Sequence, residues 1–122
     1  MKEMLFEFEK FEVYQRSLDF THEMYNITGK FPRVEQFGLC SQLRRSALSV
    51  SLNLAEGFSK YHKKDKKRYY GIARASVQEC VPALAISLRQ DFIKSKDYEN
   101  LYNECFELSR RISGLISSVD KR

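Results

Sequence analysis

The stretch DYENLYNECFELSRRISGLISSV, residues 97–119, decides the fold. Within it Tyr98, Leu101, Cys105, Leu108, Ile112, Leu115 and Val119 alternate spacings of three and four without a miss. Side chains at those spacings stack on one face of an α-helix, and a seam of that period is the packing edge of a left-handed helical bundle. Asp97, just ahead of the seam, is predicted to cap the helix N-terminus.

Working outward, three more helices follow from the same argument. One is predicted over 66–93. A seam of small residues (Ala73, Ser76, Cys80, Ala83, Ser87) permits close approach of a neighbour, and Tyr70, Val77, Val81, Leu84 and Leu88 form a second seam. Pro82 lies inside this segment, and an interior proline costs ~3 kcal/mol, so a kink or interruption is predicted near Gln78 to Val81. Another helix is predicted over 35–59, with Leu39, Leu43, Ala47, Val50, Leu54 and Phe58 as its main apolar face and Leu48, Leu52 and Ala55 as a second. Between these faces runs a polar stripe of Gln42, Arg45, Ser49, Asn53, Glu56 and Lys60.

The first helix is predicted over 10–28. Its polar side chains, Glu12, Gln15, Arg16, Asp19, His22, Glu23 and Asn26, share one arc. The apolar remainder is wider than the roughly 100° stripe a surface helix needs, which points to self-association. Gly29 is predicted to end this helix in the left-handed conformation, and Pro32 suits the first turn of the next. Four helices of similar length with short connections imply an all-α, antiparallel up-down four-helix bundle in a single domain over 1–122.

Composition agrees with that reading. Five Gly and two Pro in 122 residues are too few to punctuate a sandwich or barrel. No apolar run reaches the ~18 residues of a membrane span. Residues 1–10 carry three Glu and no signal-peptide core, so the expected compartment is the cytoplasm. Cys40, Cys80 and Cys105 sit far apart in apolar segments, as buried reduced thiols do.

The net charge of +5 is regional: −2 over residues 1–35, +7 over 36–94 and zero over 95–122. Its focus is Lys60-Tyr61-His62-Lys63-Lys64-Asp65-Lys66-Lys67-Arg68, with six cations and one anion in nine residues at the corner between the second and third helices. Lys60 and Lys63 follow the end of the second helix, where cations are favoured. Lys66, Lys67 and Arg68 are predicted in the first turn of the third, where the macrodipole opposes each by roughly 0.3–1 kcal/mol. One reading is a phosphate-binding patch formed by Lys60, Lys63, Lys64, Lys66, Lys67 and Arg68, with Tyr61 available to stack on an exposed base. The other is a solvated corner, with Tyr69 and Tyr70 in the core. The ladder Arg45, Ser49, Asn53, Glu56 is open in the same way: it could line an interface, hold a ligand, or simply join helices.

Catalysis has little to rest on. Of the two histidines, His22 lies on a polar helix face and His62 in the basic corner. Neither has a Cys, Asp or Glu at metal-ligand spacing, and the Glu-x-x-His pairs of di-metal bundles are missing. No phosphate-cradling Gly-rich loop or nucleophile elbow occurs. The expectation is a non-enzymatic protein with no cofactor and no metal.

At Phe31-Pro32-Arg33-Val34-Glu35-Gln36-Phe37-Gly38-Leu39, Ser41-Gln42-Leu43-Arg44-Arg45-Ser46-Ala47, Ser49-Val50 and Asn53-Leu54-Ala55-Glu56-Gly57-Phe58, the chain resembles the bacterial family of 23S rRNA intervening-sequence proteins. Ile72-Ala73-Arg74-Ala75-Ser76 and Glu79 continue the likeness. The resemblance implies a four-helix subunit assembling as a ring-like homopentamer, with nucleic-acid binding, RNA above all, as the usual suggestion. The alternative is a scaffolding oligomer that binds only protein. The family positions matched here are Ser41, Arg44, Arg45, Ser49, Asn53, Glu56, Gly57, Arg74, Ser76 and Glu79. Ser51 departs from a common proline, Lys60 from arginine and Ala75 from glycine, which leaves a kink in the second helix and the closeness of packing at the third in question.

Overall fold

A computed structural model describes residues 2–121. Four helices, α1 (Glu12–Thr28), α2 (Leu39–Ser59), α3 (Lys63–Arg89) and α4 (Ser95–Val119), account for most of them, and no strand occurs among the described residues. Single 3-10 turns at Glu7–Lys10 and Arg33–Glu35 precede α1 and α2. Each helix packs on its chain neighbour and α1 returns to α4, so the four close around one core. The α2–α3 seam is the most extensive and the α1–α4 seam the least.

The predicted seams fill the centre. Leu101, Cys105, Leu108, Ile112 and Val119 of α4 are buried, as are all five small residues of α3. The three cysteines are free and buried. Loss of water pushes the Cys105 thiol up to about 12 and raises Cys80 and Cys40 as well, so none is poised as a thiolate.

Helix ends depart from the sequence expectation, each for a local reason. The second helix starts at Leu39, not 35, because Gly38 interrupts the turn at φ −109°, ψ −111°. Glu35 then accepts a hydrogen bond from the Leu39 N–H at 3.2 Å. Gly29 stays right-handed (φ −62°, ψ −19°). Arg44 of α2 does the terminating work there, donating to Thr28 Oγ1 at 2.8 Å and to the Tyr25 carbonyl at 3.2 Å. Asp97 is not the cap of α4; Lys94 holds that position, and Asp97 lies in the first turn, where its charge still suits the dipole.

The third helix begins at Lys63 rather than 66 and ends at Arg89 rather than 93. Asp91 at φ 61° closes it, with the Phe92 N–H donating to Ser87 O at 2.9 Å and the Asp91 N–H to Leu88 O at 3.0 Å. That paired pattern is a Schellman C-cap. Pro82 does not interrupt α3. It lies on the exposed side, as does Gln78, whose carbonyl has no N–H on Pro82 to accept from. Ser51 keeps α2 continuous and meets Ser17 of α1 hydroxyl to hydroxyl at 2.8 Å, a bond buried between the helices. Ala75 is exposed, so a glycine there is not needed for close packing.

Candidate nucleic-acid interface

The corner between α2 and α3 is a three-residue link, Lys60-Tyr61-His62, pinned at both ends. Lys60 caps α2 in extended conformation, its N–H donating to Gly57 O at 3.3 Å. His62 precedes α3, its carbonyl accepting from the Lys66 N–H at 3.0 Å. The first turn of α3 therefore holds Lys63, Lys64, Asp65 and Lys66, and not Lys66, Lys67 and Arg68 as the sequence suggested.

Four cations of this corner make contacts within the protein that fix its shape. Lys66 turns back, donating from Nζ to Phe58 O at 2.6 Å and Gly57 O at 3.4 Å and lying 5.4 Å from the Phe58 ring centre. It thereby caps the carbonyl end of α2. Lys67 pairs with Asp120 beyond α4, 3.1 Å and 3.0 Å from its two oxygens. Lys60 pairs with Glu56 at 3.1 Å, and that hydrogen bond raises its pKa. Arg68 lies over the Tyr69 ring at 4.5 Å and Lys60 lies 5.2 Å from the same ring. Tyr61, His62, Lys63 and Lys64 are exposed, Tyr61 to 91%.

The family-motif residues do not gather into one site. Arg44 caps α1 and stacks over Tyr25 at 4.6 Å, with Ser41 and exposed Arg45 beside it near Phe37. Sixteen positions of α2 separate Arg44 from Lys60, about 24 Å along the axis. Between them lies the α2–α3 seam. Asn53 donates to Ser49 (2.8 Å to O, 3.0 Å to Oγ), Ser76 donates to Ser49 Oγ at 2.8 Å, and Gln42 donates to Glu79 at 2.8 Å. Arg74 reaches across to Ser113 at 3.0 Å on α4. The ladder foreseen from Arg45 to Glu56 is thus joined only between Ser49 and Asn53, and Glu56 turns to Lys60 instead.

Two features escaped the sequence reading. The α1–α4 seam carries charged bridges: Arg16 to Glu104 at 2.7 Å and Arg111 to Glu12 at 2.6 Å, with Glu107 held by Arg110 and by Arg111. Phe37 (90%) and Phe106 (69%) stand out in solvent. Phe106 falls outside the α4 seam, which was a usable signal; Phe37 carried none. The wide apolar arc of α1 does leave Leu18 and Tyr25 outside, in a groove shared with Leu48 and Leu52 of α2. Among the described residues no cluster of three metal-ligating side chains forms, and no helix is long and apolar enough to cross a membrane.

Four helices around one apolar core, hydroxyl and amide bonds along the α2–α3 seam and a cationic corner define a small antiparallel helical bundle with a charged tip. The chain belongs to the 23S rRNA-intervening sequence protein family, whose model matches residues 9–114. It is also similar to the crystal structure of a protein with unknown function from the S23 ribosomal protein family of Bacteroides thetaiotaomicron VPI-5482. That likeness has 26% identity over 85% of this chain and 97% of the other, with a TM-score of 0.78. No curated protein matches the chain.

Proposed function

We propose that the protein is a non-enzymatic, self-associating helical bundle that binds RNA through the corner between α2 and α3. The observation that carries this reading is the gathering of cations at one corner: Lys60, Lys66 and Lys67 engage the protein's own acceptors and fix the corner, and Lys64 stands exposed at its tip beside Tyr61. Phosphate contacts by such amines are insensitive to sequence and weaken as salt rises. Self-association, as the homopentamer of the family resemblance, is supported by the outward apolar face of Leu18, Tyr25, Leu48 and Leu52. An assembly would repeat the tip around an axis and turn weak contacts into avidity.

Fluorescence anisotropy with a structured RNA, titrated over several salt concentrations, tests the reading. The double variant Lys63→Gln/Lys64→Gln should flatten the salt dependence by roughly 1.4–1.8 in the log–log slope for each binding tip. Binding that is undetectable at low salt, or indifferent to salt, would reject it. The same apolar face supports a second reading, a scaffold for another protein with no RNA role. Recovery of one stoichiometric protein partner after nuclease treatment would favour that instead, and a monomer in light scattering would count against both.

A further inference from the structure

Resting on the RNA-binding reading, we propose that the corner selects unpaired nucleotides, with Tyr61 as the platform on which a base stacks. The aromatic rings that α2, α3 and their link contribute to this corner support the assignment. Phe58 meets Phe11 edge to face at 4.3 Å and is covered by Lys66. Tyr69 has Lys60 and Arg68 over it, and Tyr70 is 1% exposed against Gly57. Each of these rings has a structural task. Among the described residues, the one ring beside Tyr61 is that of His62, 5.3 Å away at 87°. Two perpendicular rings share one face and one edge, so at least one face of Tyr61 stays open. The Lys60 N–H and the His62 carbonyl on either side of it are hydrogen-bonded to the helix ends, so the ring is presented from a short link between two helices.

The chemistry of the ligand follows. In a duplex both faces of every internal base are already stacked, and the deep, narrow major groove of A-form RNA does not admit a side chain to the base edges. A ring projecting from a corner can therefore add nothing to duplex binding. An unpaired base has a free face, and stacking on an aromatic side chain is tolerant of sequence. Lys63 and Lys64, two and three residues along, supply cationic charge for the phosphates on either side. Those amines attract any polyanion, so preference for single strands is assigned to Tyr61 alone.

The test compares a fluorescein-labelled 12-nucleotide single-stranded RNA with the blunt duplex of the same sequence, at one fixed salt concentration. The wild type should favour the single strand. Tyr61→Ala should weaken single-strand binding about 5- to 150-fold while leaving duplex affinity and the salt slope unchanged, and Tyr61→Phe should behave as wild type. Because Tyr61 is exposed, the circular-dichroism melt of each variant should match the wild type. Equal or tighter binding of the duplex would overturn this inference and leave the RNA-binding reading standing. So would a Tyr61→Ala variant that binds the single strand undiminished. No binding to either RNA at low salt would overturn both.

Discussion

Replacing Gly57 with alanine would place a methyl group 2.7 Å from both Cδ1 and Cε1 of Tyr70 and 3.1 Å from Cβ of Tyr69. Tyr70 is 1% exposed, so its ring has nowhere to swing, and α2 and α3 would have to separate locally. Gly71, in α3, is the matched control, since a methyl there meets nothing within 4 Å. Alanine is favoured over glycine inside a helix by about 0.8–1 kcal/mol, so Gly71→Ala should stabilise by roughly that amount. At Gly57 the same gain is set against an overpacking cost of about 1–3 kcal/mol, so the net effect runs from near zero to a loss of about 2 kcal/mol. An unfolding entropy of ~2.1 cal/mol/K per residue over the chain makes each kcal/mol worth about 4 °C, so the two melting temperatures should differ by about 4–12 °C. Circular-dichroism melts at one fixed protein concentration provide the comparison, since self-association would otherwise shift the midpoint. In a Tyr70→Leu background, where a smaller and more flexible side chain replaces the ring, Gly57→Ala should approach the behaviour of Gly71→Ala. Should Gly57→Ala stabilise as much as Gly71→Ala in the wild-type background, the close approach of α2 and α3 at Tyr70 is wrong.

Two further expectations concern a helix end and a charged seam. Asp91 holds φ 61° just past the C-cap of α3, a conformation that costs an L-residue roughly 1–2 kcal/mol and aspartate somewhat less. Asp91→Gly should therefore raise the melting temperature by a few degrees, with Asp91→Asn in between; a fall on either substitution would contradict the cap geometry. On the α1–α4 seam, the hydrogen bond from Arg110, followed by that from Arg111, holds the Glu107 carboxyl below the ordinary carboxylate range. Its folded pKa is depressed, so its stabilising contribution is present above the unfolded carboxylate value and is lost as pH falls through the folded one. Glu107→Gln should lower the urea midpoint at neutral pH and match the wild type in acid below that folded pKa, and a gap that persists in acid would disprove the linkage.

What the sequence revealed and what it hid separate along physical lines. Burial acts on every residue of a helix face in turn, so Tyr98 through Val119 and Ala73 through Ser87 announced their seams by spacing alone. The hint of an over-wide apolar arc on α1 was likewise legible, because Leu18 and Tyr25 had to lie somewhere outside a stripe of ordinary width. Helix ends were harder, since each depends on a single contact made by a residue distant in the chain. Arg44 ends α1 from α2, and the Ser17–Ser51 bond exists only once two helices have been set side by side. Pro82 misled for a related reason: its cost depends on whether the orphaned carbonyl faces core or water, and periodicity did not decide that. Charge was visible in the basic corner, but the destination of each amine was not.

Those destinations resolve an apparent conflict in the corner. Cations in the first turn of α3 oppose its dipole, yet in an antiparallel pair that turn lies beside the carbonyl end of α2. Lys66 exploits the arrangement, because its backbone sits at an unfavourable helix start while its amine reaches the partially negative oxygens of Gly57 and Phe58. Replacing Lys66 would strip a cap from α2, and replacing Lys67 would free Asp120, so loss of RNA binding in either variant would report on folding as much as on contact. Lys63 and Lys64 oppose the same dipole from exposed positions. A phosphate placed between them would relieve that repulsion. For this reason Lys64→Gln should weaken RNA binding while leaving the free protein as stable as before, or slightly more so. A drop in the melting temperature of that variant would mean that this amine supports the fold and that the ligand is held elsewhere.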